Sequence, residues 1–182
     1  MEHQGTKILS TERLLLRPFQ IEDAYNMFNN WASNPNVTKY LTWQPHENVE
    51  STKTLLESWI SCYSDPLYYQ WAIELKEIGQ VIGSISVVNV KESINEVEIG
   101  YCIGENWWHK GYTSEAFKKV ISFLFDKVKV MRIMAKHDSC NVNSGKVMLK
   151  CGLQYEGTLR KAGKNSTNKI CDLAVYSILN YK

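Results

Sequence analysis

Three consecutive segments of alternating apolar and polar residues, followed by one long amphipathic helix and another strand, limit what this chain can fold into. Tyr69–Leu75, Gln80–Val88 and Glu96–Ile103 read as strands, separated by short turns at Glu77–Gly79 and Lys91–Asn95. Turns that short join antiparallel neighbours. Thr113–Val128 then shows helical spacing, and Val130–Lys136 is rich in apolar residues and reads as a strand. A strand, a helix and a strand in that order form a crossover, which places two strands parallel. The sheet is therefore expected to be mixed and mostly antiparallel.

The flanking segments extend the pattern. Arg13–Arg17 reads as a strand ending before Pro18, and Glu22–Trp31 and Val49–Cys62 as helices. Asn143–Cys151 is expected to be a short helix closed by Gly152, with strands at Leu153–Leu159 and Lys169–Leu179. The expected fold is α/β, with about seven strands flanked by helices. The 182 residues suit one domain, 1–182, long enough to bury its own core.

Composition narrows the function classes. The formal net charge of +2 is too small to argue for nucleic-acid or membrane binding on charge alone, and neither direct nucleic-acid nor membrane binding is expected. No apolar run spans a bilayer, and Met1–Ser10 lacks a signal-peptide core. Five cysteines with no C-x-x-C spacing read as reduced thiols in a cytoplasmic protein. His3, His46, His109 and His137 show no metal-ligand spacing with them, so no metal is expected.

Chemistry concentrates in Glu98–Ala116, E-I-G-Y-C-I-G-E-N-W-W-H-K-G-Y-T-S-E-A, where a strand runs through a loop into a helix. Gly111 near the helix start lets backbone N–H groups approach a ligand. The first helical turn offers unpaired N–H donors and the positive end of the dipole, which together favour phosphate. His109 and Lys110 add cationic donors. Neither a Walker loop nor a dinucleotide fingerprint is present, which weakens a nucleotide-binding reading.

This segment resembles the acyl-CoA-binding motif Q/R-x-x-G-x-G/A of the GNAT acetyltransferase superfamily, at Trp108, His109, Lys110, Gly111, Tyr112 and Thr113. The central glycine matches, while Trp108 stands for Gln/Arg and Thr113 for Gly/Ala. Other motifs follow in order: T-E-R-L-L-L-R-P-F at Thr11–Phe19, E-I-G-Y-C-I-G at Glu98–Gly104, Asn141 with Ser144, G-L-Q-Y-E-G at Gly152–Gly157, and Asp172 with Tyr176. Together they are similar to the RimJ/RimL-like branch, the ribosomal-protein N-acetyltransferase relatives.

The resemblance implies acetyl-CoA as cosubstrate, no metal, and direct attack by a primary amine in a ternary complex. It implies that Val97–Ile103 and Val130–Lys136 are parallel strands that splay apart, with backbone groups near Cys102 and Ile103 pairing with pantetheine. His109, Lys110, Gly111, Tyr112, Thr113 and Ser114 would surround the pyrophosphate, and Asn141 would hold the CoA arm. Ser144 would hydrogen-bond or protonate the CoA sulfur, against a plain helix-capping role. Glu98 would act as base through water, against a role in orienting substrate. Cys102 and Cys140 are discounted as nucleophiles, because buried cysteine usually behaves as a small apolar residue.

The acceptor implied is a protein N-terminal α-amine. Polyamines, amino sugars and aminoglycosides are the alternatives, and a homodimer is left open. A non-catalytic CoA sensor and an interaction module are the competing classes. Trp31–Asp65 is expected to shape the acceptor pocket.

Overall fold

In the computed structural model, which describes residues 1–181, eight strands form one sheet. They are β1 (Leu9–Ser10), β2 (Leu14–Arg17), β3 (Gln70–Leu75), β4 (Gln80–Lys91), β5 (Glu96–Ile103), β6 (Arg132–Asp138), β7 (Gln154–Lys164) and β8 (Ile170–Leu179). Their spatial order is β1-β2-β3-β4-β5-β6-β8-β7. Every neighbouring pair is antiparallel except β5–β6, so the sheet is mixed as the sequence predicts. The strand beyond the expected seven is β1, a two-residue piece too short to show any alternation.

The helices are α1 (Asp23–Met27, running on as a wider turn through Ala32), α2 (Pro35–Thr38), α3 (Val49–Ser61), α4 (Tyr112–Phe123, widening through Val128) and α5 (Val142–Lys150). Asn34 and Asn48 cap α2 and α3, their side-chain oxygens accepting at 2.8 Å from the Asn36 and Ser51 N–H groups. The sequence pattern missed α2, a single turn whose start is set by the Asn34 cap and Pro35. β6 begins and ends two residues later than expected, and β7 runs on to Lys164.

The sheet separates two apolar layers. On one side Leu14, Leu16, Ile85, Val97 and Ile99 pack against Phe117, Val120 and Leu124 of α4. On the other, Phe19, Met27, Trp31 and Leu56 form the layer of α1–α3. Each leucine fully removed from water contributes about 1.5–3 kcal/mol. Arg17 ties β2 to both α1 and β3, pairing with Asp23 at 2.7 Å and Glu74 at 2.7 Å.

The parallel pair is short. β5 and β6 are in register only at Glu96–Arg132, Val97–Ile133 and Glu98–Met134. Among the described residues, the β5 edge from Ile99 to Ile103 has no strand partner on that side. β4 is bulged between Val87 and Asn89, opposite Ile99 and Glu98. A bulge bends and twists its strand, and here it lies at the residues where β5 leaves β6.

Candidate active site

The divergence of β5 from β6 opens a cavity of about 1320 Å³ that reaches both faces of the sheet. On the α4/α5 side its walls include Gly111, Thr113, Ser114, Asn141, Ser144 and Lys150. On the α1–α3 side they include Trp31, Tyr40, Trp43, His46 and Trp59. β5 contributes Glu98 through Ile103 between the two halves.

The loop into α4 is built for close backbone approach. Gly111 sits at the N-terminal boundary with φ +82°, and His109 is also left-handed at +60°. No side chain caps this helix, so its first N–H groups retain the donor capacity that binds anions. A Cβ at Gly111 would meet only Arg13 Nη2 at 3.6 Å and Lys150 Nζ at 3.9 Å. Two cationic side chains therefore stand over the loop.

Arg13 is fixed there. Its guanidinium pairs with Glu115 at 2.6 Å, donates to the Lys110 carbonyl at 3.1 Å and lies 4.4 Å from the centre of the Tyr112 ring. Burial opposes the charge on Glu115, but hydrogen bonds from Thr11 and Arg13 outweigh it and hold the carboxyl below its usual range. Lys146 and Lys150 on α5 line the same half of the cavity, and among the described residues neither forms an ion pair.

Thr113, Ser114, His109 and Gly111 line the cavity, as do Cys102, Ile103 and Asn141. Lys110 and Tyr112 stand apart from its walls: Lys110 is exposed, and Tyr112 packs on the core beneath Arg13. Trp108, where the motif has Gln or Arg, lines the cavity and donates from Nε1 to the Ile103 carbonyl at 2.9 Å. It braces the end of β5 from within the loop.

Ser144 lies in the first turn of α5. Its hydroxyl is 3.0 Å from the Tyr101 hydroxyl, which also donates to the Ser144 carbonyl at 3.0 Å. Asn141, at the N-terminal boundary of α5, makes no side-chain cap bond. Its amide is thus available to the cavity.

Tyr101 is the residue the sequence pattern did not single out. It alternates with Val97 and Ile99 and looks like core, and its ring does pack 5.4 Å from Phe117. Burial pushes its phenol well above the usual range, so it stays a protonated donor. Its partner is 43 positions away in the chain.

Glu98 is buried where the strands part. Its carboxylate meets Lys136 Nζ at 3.0 Å, two residues beyond the last paired position of β6. The Cys102 thiol, 3.4 Å from Ser84 Oγ, is pushed upward by burial, as expected of a structural rather than nucleophilic cysteine. His46, within the Trp31–Asp65 segment expected to shape the acceptor pocket, is a wall residue. Its Nδ1 lies 2.7 Å from Thr52 Oγ1, and burial lowers its pKa, which favours the neutral ring. Among the described residues no group of three or more His, Cys, Asp or Glu could hold a metal ion. No helix among them is long and apolar enough to cross a membrane.

A family model described as an acetyltransferase (GNAT) domain matches residues 13–154. The chain belongs to the GNAT acetyltransferases. Among its relatives in this family is the uncharacterized N-acetyltransferase p20 of Bacillus licheniformis, 33% identical over 94% of this chain and 95% of that protein. The [ribosomal protein uS5]-alanine N-acetyltransferase of Escherichia coli is 25% identical over 82% of this chain and 79% of that protein. A solved GNAT-like structure, the microcin C7 self-immunity acetyltransferase MccE in complex with acetyl-CoA and AMP, superposes with a TM-score of 0.84. It is 22% identical and covers 93% of this chain and 94% of its own. The enzyme described here is an N-acetyltransferase with the GNAT fold, and ribosomal-protein acetyltransferases of the RimJ/RimL type are among its relatives and structural neighbours.

Proposed function

We propose that this enzyme transfers the acetyl group of acetyl-CoA to a protein N-terminal α-amine by direct attack in a ternary complex. The observation that carries the reading is the single cavity passing through the sheet where β5 leaves β6. One ligand can approach from the α4/α5 side and the other from the α1–α3 side, with their reacting ends meeting at β5. The E. coli relative, named for an alanine of ribosomal protein uS5, supports a protein acceptor.

The residues on the α4/α5 side fit acetyl-CoA, which supplies the acetyl group as a thioester. The uncapped α4 N-terminus, Gly111, Arg13 and Lys150 offer donors and positive charge for a pyrophosphate. The open β5 edge at residues 99–103 offers backbone groups for pantetheine amides. Asn141 adds a side-chain amide beside the arm.

For the reaction, the amine must lose a proton, the carbonyl oxygen must be stabilised, and the sulfur must gain a proton. Glu98 takes the amine's proton through water. Backbone N–H groups of the open β5 edge donate to the oxygen as charge develops on it. Ser144, oriented by Tyr101, hydrogen-bonds the leaving thiolate, which takes its proton from the attacking nitrogen as the tetrahedral adduct collapses. No side chain becomes covalently acylated.

The test is CoA release measured with acetyl-CoA and short peptides bearing free N-termini, beside calorimetric titration of acetyl-CoA. Saturable acetyl-CoA binding with peptide-dependent release is expected. Micromolar ATP binding without detectable acetyl-CoA binding would overturn the reading.

A further inference from the structure

The walls of the acceptor half carry a second message, about which amines it suits. On the α1–α3 side they are dominated by apolar and aromatic side chains, among them Trp31, Tyr40, Leu41, Trp43 and Trp59. Trp43 and His46 pack with ring centres 5.5 Å apart. The side chain of Gln44, on the segment between α2 and α3, donates to the Ser166 carbonyl at the turn of the β7–β8 hairpin. Both segments contribute walls to the cavity, so this contact links them at its outer side.

Among the described residues lining the whole cavity, the carboxylates are Glu98 and Asp138. Neither is free. Glu98 faces Lys136 at 3.0 Å. Asp138, only 4% exposed, accepts from the Cys140 N–H at 3.0 Å and the Asn165 amide at 3.1 Å. The remaining charged walls are cationic: Lys136, Lys146, Lys150 and Lys164.

We infer that the acceptor is an amine carried on an uncharged apolar group, without a second cation near the reacting nitrogen. In peptide terms this is an N-terminal residue with an apolar side chain. The inference rests on the transferase reading above and narrows its acceptor. A second ammonium in this half would lose water without finding an unengaged carboxylate among the described wall residues. An apolar side chain against the indole and phenol rings gains from burial. Polyamines and aminoglycosides, alternatives left open by the sequence, are disfavoured by the same charge distribution.

The experiment compares kcat/KM at saturating acetyl-CoA for tetrapeptides that differ only in their first residue, Leu, Phe, Ala, Lys or Asp, with spermidine and kanamycin alongside. Leu- or Phe-first peptides are expected to exceed Lys-first peptide and spermidine by about 10-fold or more, the scale at which one apolar contact discriminates substrates. Intrinsic tryptophan fluorescence, read with CoA bound, gives a second measurement independent of turnover. Phenethylamine should quench it saturably and putrescine should not. If spermidine, kanamycin or a charged-first peptide is the best substrate, the inference is overturned while the transferase reading stands. If no amine is acetylated and phenethylamine causes no quenching, both are overturned. Phenethylamine quenching without turnover on any amine would overturn the transferase reading and, with it, the acceptor inference that rests on it.

Discussion

The Tyr101 hydroxyl on β5 donates to the backbone carbonyl of Ser144 on α5 at 3.0 Å, and lies 3.0 Å from the Ser144 hydroxyl. With the phenol proton directed to the carbonyl, Tyr101 can accept from Ser144, or Ser144 can turn its proton toward the cavity. A strand and a helix on the two sides of the opening are thereby joined at the proposed sulfur donor.

Ser144→Ala is expected to lower kcat by about 10–100-fold while leaving the acetyl-CoA dissociation constant within a few-fold. A donor to the sulfur acts mainly as charge develops there, so its loss is felt in the transition state more than in binding. Tyr101→Phe should have a smaller kinetic effect and cost about 1 kcal/mol of stability. Steady-state kinetics, acetyl-CoA titration and melting curves on both variants check this. Normal turnover with a lowered melting temperature in Ser144→Ala would reduce the pair to a structural contact.

Two glycines near the site should respond differently to substitution. At Gly111 a Cβ has room, but φ is +82°. A β-branched residue would be strained there by about 1–2 kcal/mol and would crowd the turn proposed to bind the pyrophosphate. Gly111→Val is therefore expected to remain folded and lose at least about 10-fold in acetyl-CoA affinity. At Gly104 a Cβ would run into the Asn30 carbonyl and the Trp107 ring. Gly104→Ala should lower the melting temperature before any effect on binding is considered. Calorimetry of binding and of unfolding on both variants separates the two.

Arg17 supports the α1–α3 side of the sheet. Its guanidinium bridges Asp23, which is 6% exposed, and Glu74. Arg17→Met would leave two carboxylates close together without their cation. Urea unfolding at neutral pH is expected to give a loss of about 3–5 kcal/mol, the range for breaking one side of a buried pair.

Stability should also fall in acid through Glu156. Hydrogen bonds from Arg132 and Ser177 lower its pKa from 4.5 to about 2. A carboxylate depressed in the folded state adds stability that is fully present above its unfolded value and is lost as pH falls through the folded value. The contribution of Glu156 is therefore lost between about pH 4.5 and 2. Its side chain is 39% exposed, so salt should weaken the effect. Melting temperature against pH should be flatter across that window in Glu156→Gln than in the parent.

How far the sequence reached differs between fold and site. Alternation in Tyr69–Leu75, Gln80–Val88 and Glu96–Ile103, and the helical period of Thr113–Val128, are local properties, and the corresponding elements form with small shifts at their ends. The order of hairpins and one crossover was enough to anticipate the mixed sheet. The GNAT-like motif around Gly111 was legible because it is contiguous, and the positive φ of Gly111 agrees with a position that needs glycine. Tertiary structure alone joined Tyr101 to Ser144 and Glu98 to Lys136, and brought Lys150 over the loop, because these meetings require segments distant in the chain to be packed first. It also decided that Tyr112 lies under Arg13 rather than at the cavity. The same holds for the walls of the proposed acceptor half. Trp31, Trp43 and Trp59 carry no local pattern that distinguishes a cavity wall from core, and the absence of an unengaged carboxylate beside them depends on hydrogen bonds made from β6 and the β7–β8 hairpin. Local periodicity sets which face of an element is apolar; only the packed sheet determines which side chains meet where β5 and β6 separate.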